Sequence, residues 1–278
     1  MKNARQVKDL IRNLAKQKDI NAQILLRNYL FERLLERISY SEFKNHIILK
    51  GGLLVASLVG VSLRSTMDMD ATIKGYPMTL PDIERAFSKI LSIQLNDGVA
   101  MALIKTEVIR DEDDYEGFRL SIEARMDQVR LPLKVDLTTG DQITPKEIDY
   151  KFSLLLEERT IEILAYNIET VLAEKLETII SRGTANTRMR DFYDIHVLLK
   201  FYEEKVSARL LSKALSATAS HRGSKPLLTE AKVVMEEVFQ SSYMEAAWTR
   251  YQKKYPYAKD ISWNMIGDSM IKLQSLIS

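Results

Sequence analysis

The chain has 278 residues, 46% of them hydrophobic and 28% charged, an ordinary globular composition with room for one large domain or two modest ones. Forty basic against 38 acidic side chains leave a net charge of +2, so no global charge demands a nucleic-acid partner and any such affinity must come from a local patch. Cysteine is absent, which excludes disulfides, thiol catalysis and thiolate metal sites. Residues 1–20 are charged throughout and lack the apolar core of a signal peptide. No apolar run reaches the roughly 18 residues of a membrane span, so a cytoplasmic protein with no membrane partner is expected.

Residues 3 to about 45 predict two or three amphipathic helices, with Ile24, Leu25, Leu26, Leu30, Leu34, Leu35 and Ile38 forming one broad apolar stripe. Residues 46–49 predict a short buried strand, ended by Lys50-Gly51-Gly52, and residues 53–59 a small buried helix. Over residues 67–73, Met67, Met69, Ala71 and Ile73 alternate with Asp68, Asp70 and Thr72, the period of a half-buried strand. That period puts Asp68 and Asp70 on one face, about 7 Å apart. Asp is a poor strand former and the pair repels itself, so a positive partner over the two is expected.

A Gly-Tyr-Pro turn and a helix over about 81–93 follow. Residues 118–126 and 129–138 alternate strictly and are joined by Asp127-Gln128, which predicts an antiparallel hairpin with Pro132, Lys134 and Asp136 on its polar face. Residues 149–164 predict one further hairpin around Glu157-Glu158. From Asn167 the pattern is helical to Ser278, with no repeat or low-complexity linker. The organisation expected is an α+β domain over residues 1–164, a mixed sheet with flanking helices, followed by a helical domain over 165–278.

Three strand carboxylates stand out: Asp68, Asp70 and Asp136. Hard divalent cations take oxygen ligands and use a few carboxylates together with substrate phosphates. Gly51-Gly52 before a helix offers backbone that a phosphate can approach, aided by the helix dipole. The order strand, Gly-Gly, helix, Asp-x-Asp strand and later strand Asp suggests metal-assisted phosphoryl or nucleotidyl transfer. An Asp-x-Asp alone is more often a solvated pair, and a Gly-Gly alone is more often a tight turn.

In residues 167–182 the apolar positions 168, 171, 172, 176, 179 and 180 define a helix face, and Lys175 falls inside that arc with Arg182 on the same column. Such a lysine either snorkels to solvent or reaches a cleft where a triphosphate would lie. In residues 188–199, Asp191 and Asp194 share a face with Ile195 and Leu198; capping accounts for Asp191 and less well for Asp194. The four charges predict a buried polar network between the two halves. Near the C-terminus Trp248, Arg250, Tyr251, Lys253, Lys254, Tyr255, Tyr257 and Lys259 interleave basic and aromatic residues. They predict either an RNA contact or, more ordinarily, a solvated helix end with its rings packed inward.

Residues 49–73 and 173–199, which carry "LKGGLLVASLVGVSLRSTMDMDATI" and "AEKLETIISRGTANTRMRDFYDIHVLL", resemble the AbiEii toxin family, abortive-infection nucleotidyltransferases of bacterial type IV toxin–antitoxin systems. The resemblance implies the nucleotidyltransferase fold of the DNA polymerase β superfamily and a role in phage defence. It matches Gly51, Gly52, Arg64, Ser65, Thr66, Asp68 and Asp70, then Glu174-Lys175-Leu176 and Arg190-Asp191-Phe192-Tyr193-Asp194.

By that likeness Asp68 and Asp70 hold Mg²⁺ or Mn²⁺, Thr66 contacts the nucleotide phosphates, and Lys175 and Asp191 complete the active site. Gly51, Gly52, Arg64, Ser65, Arg182 and Asp194 are the further nucleotide-binding candidates. Asp136 as third metal carboxylate and proton acceptor is assigned from strand alternation. Many nucleotidyltransferases carry Ser or Thr directly after the glycine pair, where this chain has Leu53, so Ser65 or Thr66 would have to serve. The expected activity is transfer of a nucleoside monophosphate from an NTP (GTP or CTP) to an RNA hydroxyl, with tRNA among the acceptors implied, and with a cognate antitoxin encoded nearby. The alternatives are a small-molecule transferase of the aminoglycoside-modifying kind and a non-catalytic nucleotide- or antitoxin-binding protein on the same fold.

Overall fold

The computed structural model describes residues 4–110 and 116–277. Asn3 and Ser278, the outer ends of the expected helical stretches, lie outside the described residues. The chain packs into two compact units, residues 1–140 with 147–165, and residues 141–146 with 166–278. Segment 141–146 joins the second unit through hydrogen bonds: Asn167 Nδ2 donates to the carbonyls of Thr144 (2.9 Å) and Lys146 (3.0 Å), and the Thr144 amide donates to Thr170 Oγ1.

The first unit begins with helices α1 (Ala4–Lys18) and α2 (Ala22–Tyr40), the latter capped by Asn21, whose side chain accepts from the Gln23 amide. Strand β1 (Ile47–Lys50), helix α3 (Gly51–Val59), strand β2 (Asp68–Ile73) and helix α4 (Leu80–Ser92) follow. Strands β3 (Val99–Arg110), β4 (Glu116–Met126) and β5 (Val129–Thr139) form a meander, and β6 (Ile148–Ser153) and β7 (Thr160–Ala165) a hairpin. All seven strands make one mixed sheet in the order β3-β4-β5-β2-β1-β7-β6. β2 runs parallel to β5 and β1 parallel to β7, and the other pairs are antiparallel.

Four differences from the sequence reading have physical causes. Strand β3 was not expected. Its register shifts between Leu103 and Lys105, so the alternation breaks, and as an edge strand it leaves Ile104 63% exposed. Helix α3 starts two residues early, at Gly51, because a carboxylate from β2 caps it. Met67 lies just before β2 and is 46% exposed instead of joining the apolar face.

The second half of α2, finally, is buried on all sides. Its charges are therefore paired: Arg33 with Glu36 (2.7 Å), Arg159 with Glu36 (2.6 Å), and Arg37 with both oxygens of Asp97 (2.9 and 3.1 Å). Pro132 sits in β5 ahead of the stretch that pairs with β2, where the amide it lacks is not needed by that neighbour.

The second unit is helical: α5 (Ile168–Arg182), α6 (Met189–Tyr202), α7 (Ala208–His221), α8 (Ala231–Gln240), α9 (Ser242–Lys254) and α10 (Trp263–Ile277). Asn167 caps α5 by accepting from the Thr170 amide at 2.8 Å. An aromatic cluster of Phe192, Phe239, Trp248 and Trp263 ties α6, α8, α9 and α10 together. Among the described residues no helix is long and apolar enough to cross a membrane.

Candidate active site

The acidic strand β2 lies between β1 and β5, and the register places a row of charge across the sheet. Asp70 is the partner of Lys50 on β1 and of Asp136 on β5, and Asp136 is in turn the partner of Arg119 on β4. One pleat away, Asp68 is the partner of Lys134. Partners in register share a face, so the positive groups expected near the acidic pair come from the sheet itself. Arg119 grips Asp136 with two hydrogen bonds, Nε to Oδ1 at 2.8 Å and Nη2 to Oδ2 at 2.7 Å. Burial raises the Asp70 pKa; Lys50 opposes the rise, and Asp136 and Asp68 add to it.

The glycine pair is shaped around Asp70. Gly51 holds φ at +65°, and a β-carbon there would stand 2.0 Å from Asp70 Oδ2. The Gly52 amide donates to that same oxygen at 3.3 Å, so the first turn of α3 already serves a carboxylate. Under Gly52 lies Arg64, only 2% exposed, whose guanidinium donates to the Ser65 carbonyl. Thr66 Oγ1 donates to the Asp68 carbonyl at 2.9 Å. Arg64, Ser65 and Thr66 thus shape the turn that carries the chain into β2. Leu53, where a hydroxyl residue is common, points into the core.

The donor set suits a hard cation in part. Asp68 and Asp70 are adjacent half-buried carboxylates whose repulsion a divalent ion would relieve. Both oxygens of Asp136 are committed to Arg119, so the pair on β2 is the part of the set open to a metal. Among the described residues no group of three or more His, Cys, Asp or Glu forms a closed metal site. An open site of two carboxylates, completed by phosphates and water, is the habit of Mg²⁺.

In the helical unit, Lys175 of α5 meets α6. Its Nζ lies 2.7 Å from Asp191 Oδ1 and 2.8 Å from Asp194 Oδ2, and Arg188 Nε lies 3.0 Å from Asp191 Oδ2. Asp194 is fully buried and Asp191 nearly so. Burial alone would lower the lysine pKa, but the two carboxylates outweigh it and hold the ammonium above its ordinary value. The lysine inside an apolar arc is therefore neither snorkelling nor free: it compensates two buried acids. Arg182 ends α5, half-buried. Lys50, Arg119 and Arg188 were missed by the sequence reading, which placed Lys134 on the polar face beside Asp136 without giving it a role, although Lys50 abuts the glycine pair and Arg119 shares that polar face.

A mixed sheet that presents Asp-x-Asp beside a Gly-Gly helix start, followed by a helical unit, is the arrangement that the resemblance to nucleotidyltransferases implies. An H. pylori protein described as a candidate nucleotidyltransferase shares the fold, with 17% identity, a TM-score of 0.50, and coverage of 92% of this chain and 99% of the other. JHP933 from Helicobacter pylori matches with 16% identity and a TM-score of 0.48, over 92% of this chain and 95% of its own. No curated protein matches the chain. The profile of the nucleotidyl transferase AbiEii toxin family, Type IV TA system, matches residues 33–267. The chain belongs to that family.

Proposed function

We propose that this chain is a toxin that moves a nucleoside monophosphate from an NTP to an RNA hydroxyl and releases pyrophosphate. The acceptor oxygen attacks the α-phosphorus, the bond from that phosphorus to the oxygen bridging to the β-phosphate breaks, and the hydroxyl proton passes to a carboxylate. The observation that carries the reading is the Asp68–Asp70 pair beside Asp136 in a chain of this family.

Asp68 and Asp70 would hold Mg²⁺ or Mn²⁺, which when bound neutralises triphosphate charge and lowers the pKa of a nearby hydroxyl. Asp136 would be the proton acceptor, and to take the proton it would have to release one of the two oxygens that Arg119 holds. Gly51 and Gly52 bring the α3 start against Asp70, and a phosphate bound there would share that helix start with the carboxylate. By the family likeness Lys175, Asp191 and Asp194 would take part in nucleotide binding; within their own unit they balance one another's charge. Such a protein acts in the cytoplasm in abortive infection and phage defence, with tRNA among its acceptors and an antitoxin as counterpart.

The test is incubation of the purified chain with total RNA and each α-³²P-labelled NTP in turn, with Mg²⁺ or EDTA. Label entering RNA from one NTP, and only with the metal, supports the reading. No incorporation from any NTP removes it.

A further inference from the structure

The helical unit contains an open pocket of about 560 Å³ between the start of α6 and the face of α9. Arg188, Arg190, Arg250 and Lys254 line it, against a single carboxylate, Asp191, already engaged by Lys175 and Arg188. Among the described residues Arg190, Arg250 and Lys254 have no carboxylate partner. They rest on rings: Arg190 and Lys254 over Tyr255 at 5.2 and 5.5 Å, and Arg250 over Tyr243 at 5.9 Å. Arg190 also donates to the Tyr255 hydroxyl at 2.8 Å. Tyr243 is 55% exposed, whereas Trp248 and Tyr251 of the same helix are buried.

These features select a ligand chemistry. Cations not balanced by acid call for an anion, and their spread around an open pocket fits more than one phosphate. The solvent-facing Tyr243 ring fits a base that is out of a duplex, because only unstacked bases offer their faces. A polycationic small molecule would be repelled.

We propose that this pocket binds single-stranded RNA, with Arg250, Lys254 and Arg190 on the phosphates and Tyr243 under a base. Naming that strand the acceptor rests on the transfer reading above; the binding itself does not.

The test uses the full chain and a fluorescein-labelled single-stranded RNA of roughly 12 nucleotides and mixed sequence, followed by anisotropy between about 50 and 200 mM salt. The Arg250→Ala/Lys254→Ala protein is expected to lose about tenfold or more in affinity, and its salt slope to fall by about one to two. Tyr243→Ala is expected to lose about fivefold, with Tyr243→Phe holding wild-type affinity because the ring is what binds. All three positions are exposed, so the fold is not at stake. In a parallel titration with mant-GTP the double variant stays within about twofold of wild type, since an acceptor pocket is not the triphosphate site.

Unchanged RNA affinity and slope in the double variant, or a wild type without RNA affinity, overturns the proposal. Equal loss of RNA and mant-GTP overturns it in favour of a triphosphate subsite. A wild type that binds RNA through these residues yet adds no nucleotide upholds the pocket and removes the transfer reading instead.

Discussion

Gly51 and Asp70 approach so closely that a β-carbon on the glycine would stand 2.0 Å from the carboxylate oxygen. Gly51→Ala therefore has two costs, a left-handed φ without glycine and displacement of Asp70. Together they should destabilise the protein by about 1–3 kcal/mol and abolish nucleotide transfer. Urea unfolding and NMP incorporation read the two effects, and a variant with the wild-type midpoint and full activity would show the approach to be unnecessary.

Lys175 is the counter-charge of two buried acids. Lys175→Ala strands them and should cost about 3–5 kcal/mol, the range for breaking a buried pair. Its folded pKa is raised, so the stabilisation is fully present below the ordinary value of 10.5 and is lost as pH climbs through the higher folded value. Wild-type stability should thus fall above about pH 10.5 more steeply than that of Lys175→Met. Parallel alkaline decline of the two proteins would count against the pairing.

Glu32 on α2 offers a test in the neutral range. Burial pushes its pKa up to about 8, against the pull of the Leu155 amide, which donates to Oε1 at 2.9 Å, and of Arg33, while Glu157 and Glu36 push with the burial. Between about 4.5 and 8 the folded state keeps a proton that the unfolded chain has released, so stability falls as pH rises and levels off above 8. Glu32→Gln keeps an acceptor for Leu155 and cannot ionise. Its melting temperature should exceed that of wild type by a margin that widens from pH 5 to pH 8; a constant or shrinking margin contradicts the assignment.

Both oxygens of Asp136 accept from Arg119. The pair is partly exposed, so Arg119→Ala should change stability by less than about 1 kcal/mol. Freed, Asp136 adds a third carboxylate to the pair on β2. The Mg²⁺ concentration that half-saturates transfer should then fall several-fold, and an unchanged or higher requirement would argue that Asp136 serves only Arg119.

Much of this was legible in the residues. Alternation placed β2, β4 and β5, the two-residue Asp127-Gln128 turn set the β4–β5 hairpin, and helical period put Lys175, Asp191 and Asp194 on inward faces that do meet. The same hairpin register sets Arg119 across from Asp136, so that grip could have been counted back from the turn. What could not be read depends on contacts distant in sequence. The early start of α3 follows from a carboxylate 18 residues away, and the bulge in β3 erased the alternation that would have revealed it. The burial of Glu32, Arg33 and Glu36 depends on the β6–β7 hairpin covering one side of α2, and that of Arg37 on Asp97 and Val99 at the start of β3, which no local pattern announces.

Asp70 is the point on which the account turns, and Asp70→Asn isolates it, since the amide keeps the shape and an acceptor for the Gly52 N–H. The measurement is Mg²⁺-dependent incorporation of labelled NMP into RNA by wild type and variant, each shown to be folded by circular dichroism. A loss of about 100-fold or more, equivalent to at least about 2.7 kcal/mol, is predicted. Incorporation by the folded variant at the wild-type rate would contradict the account.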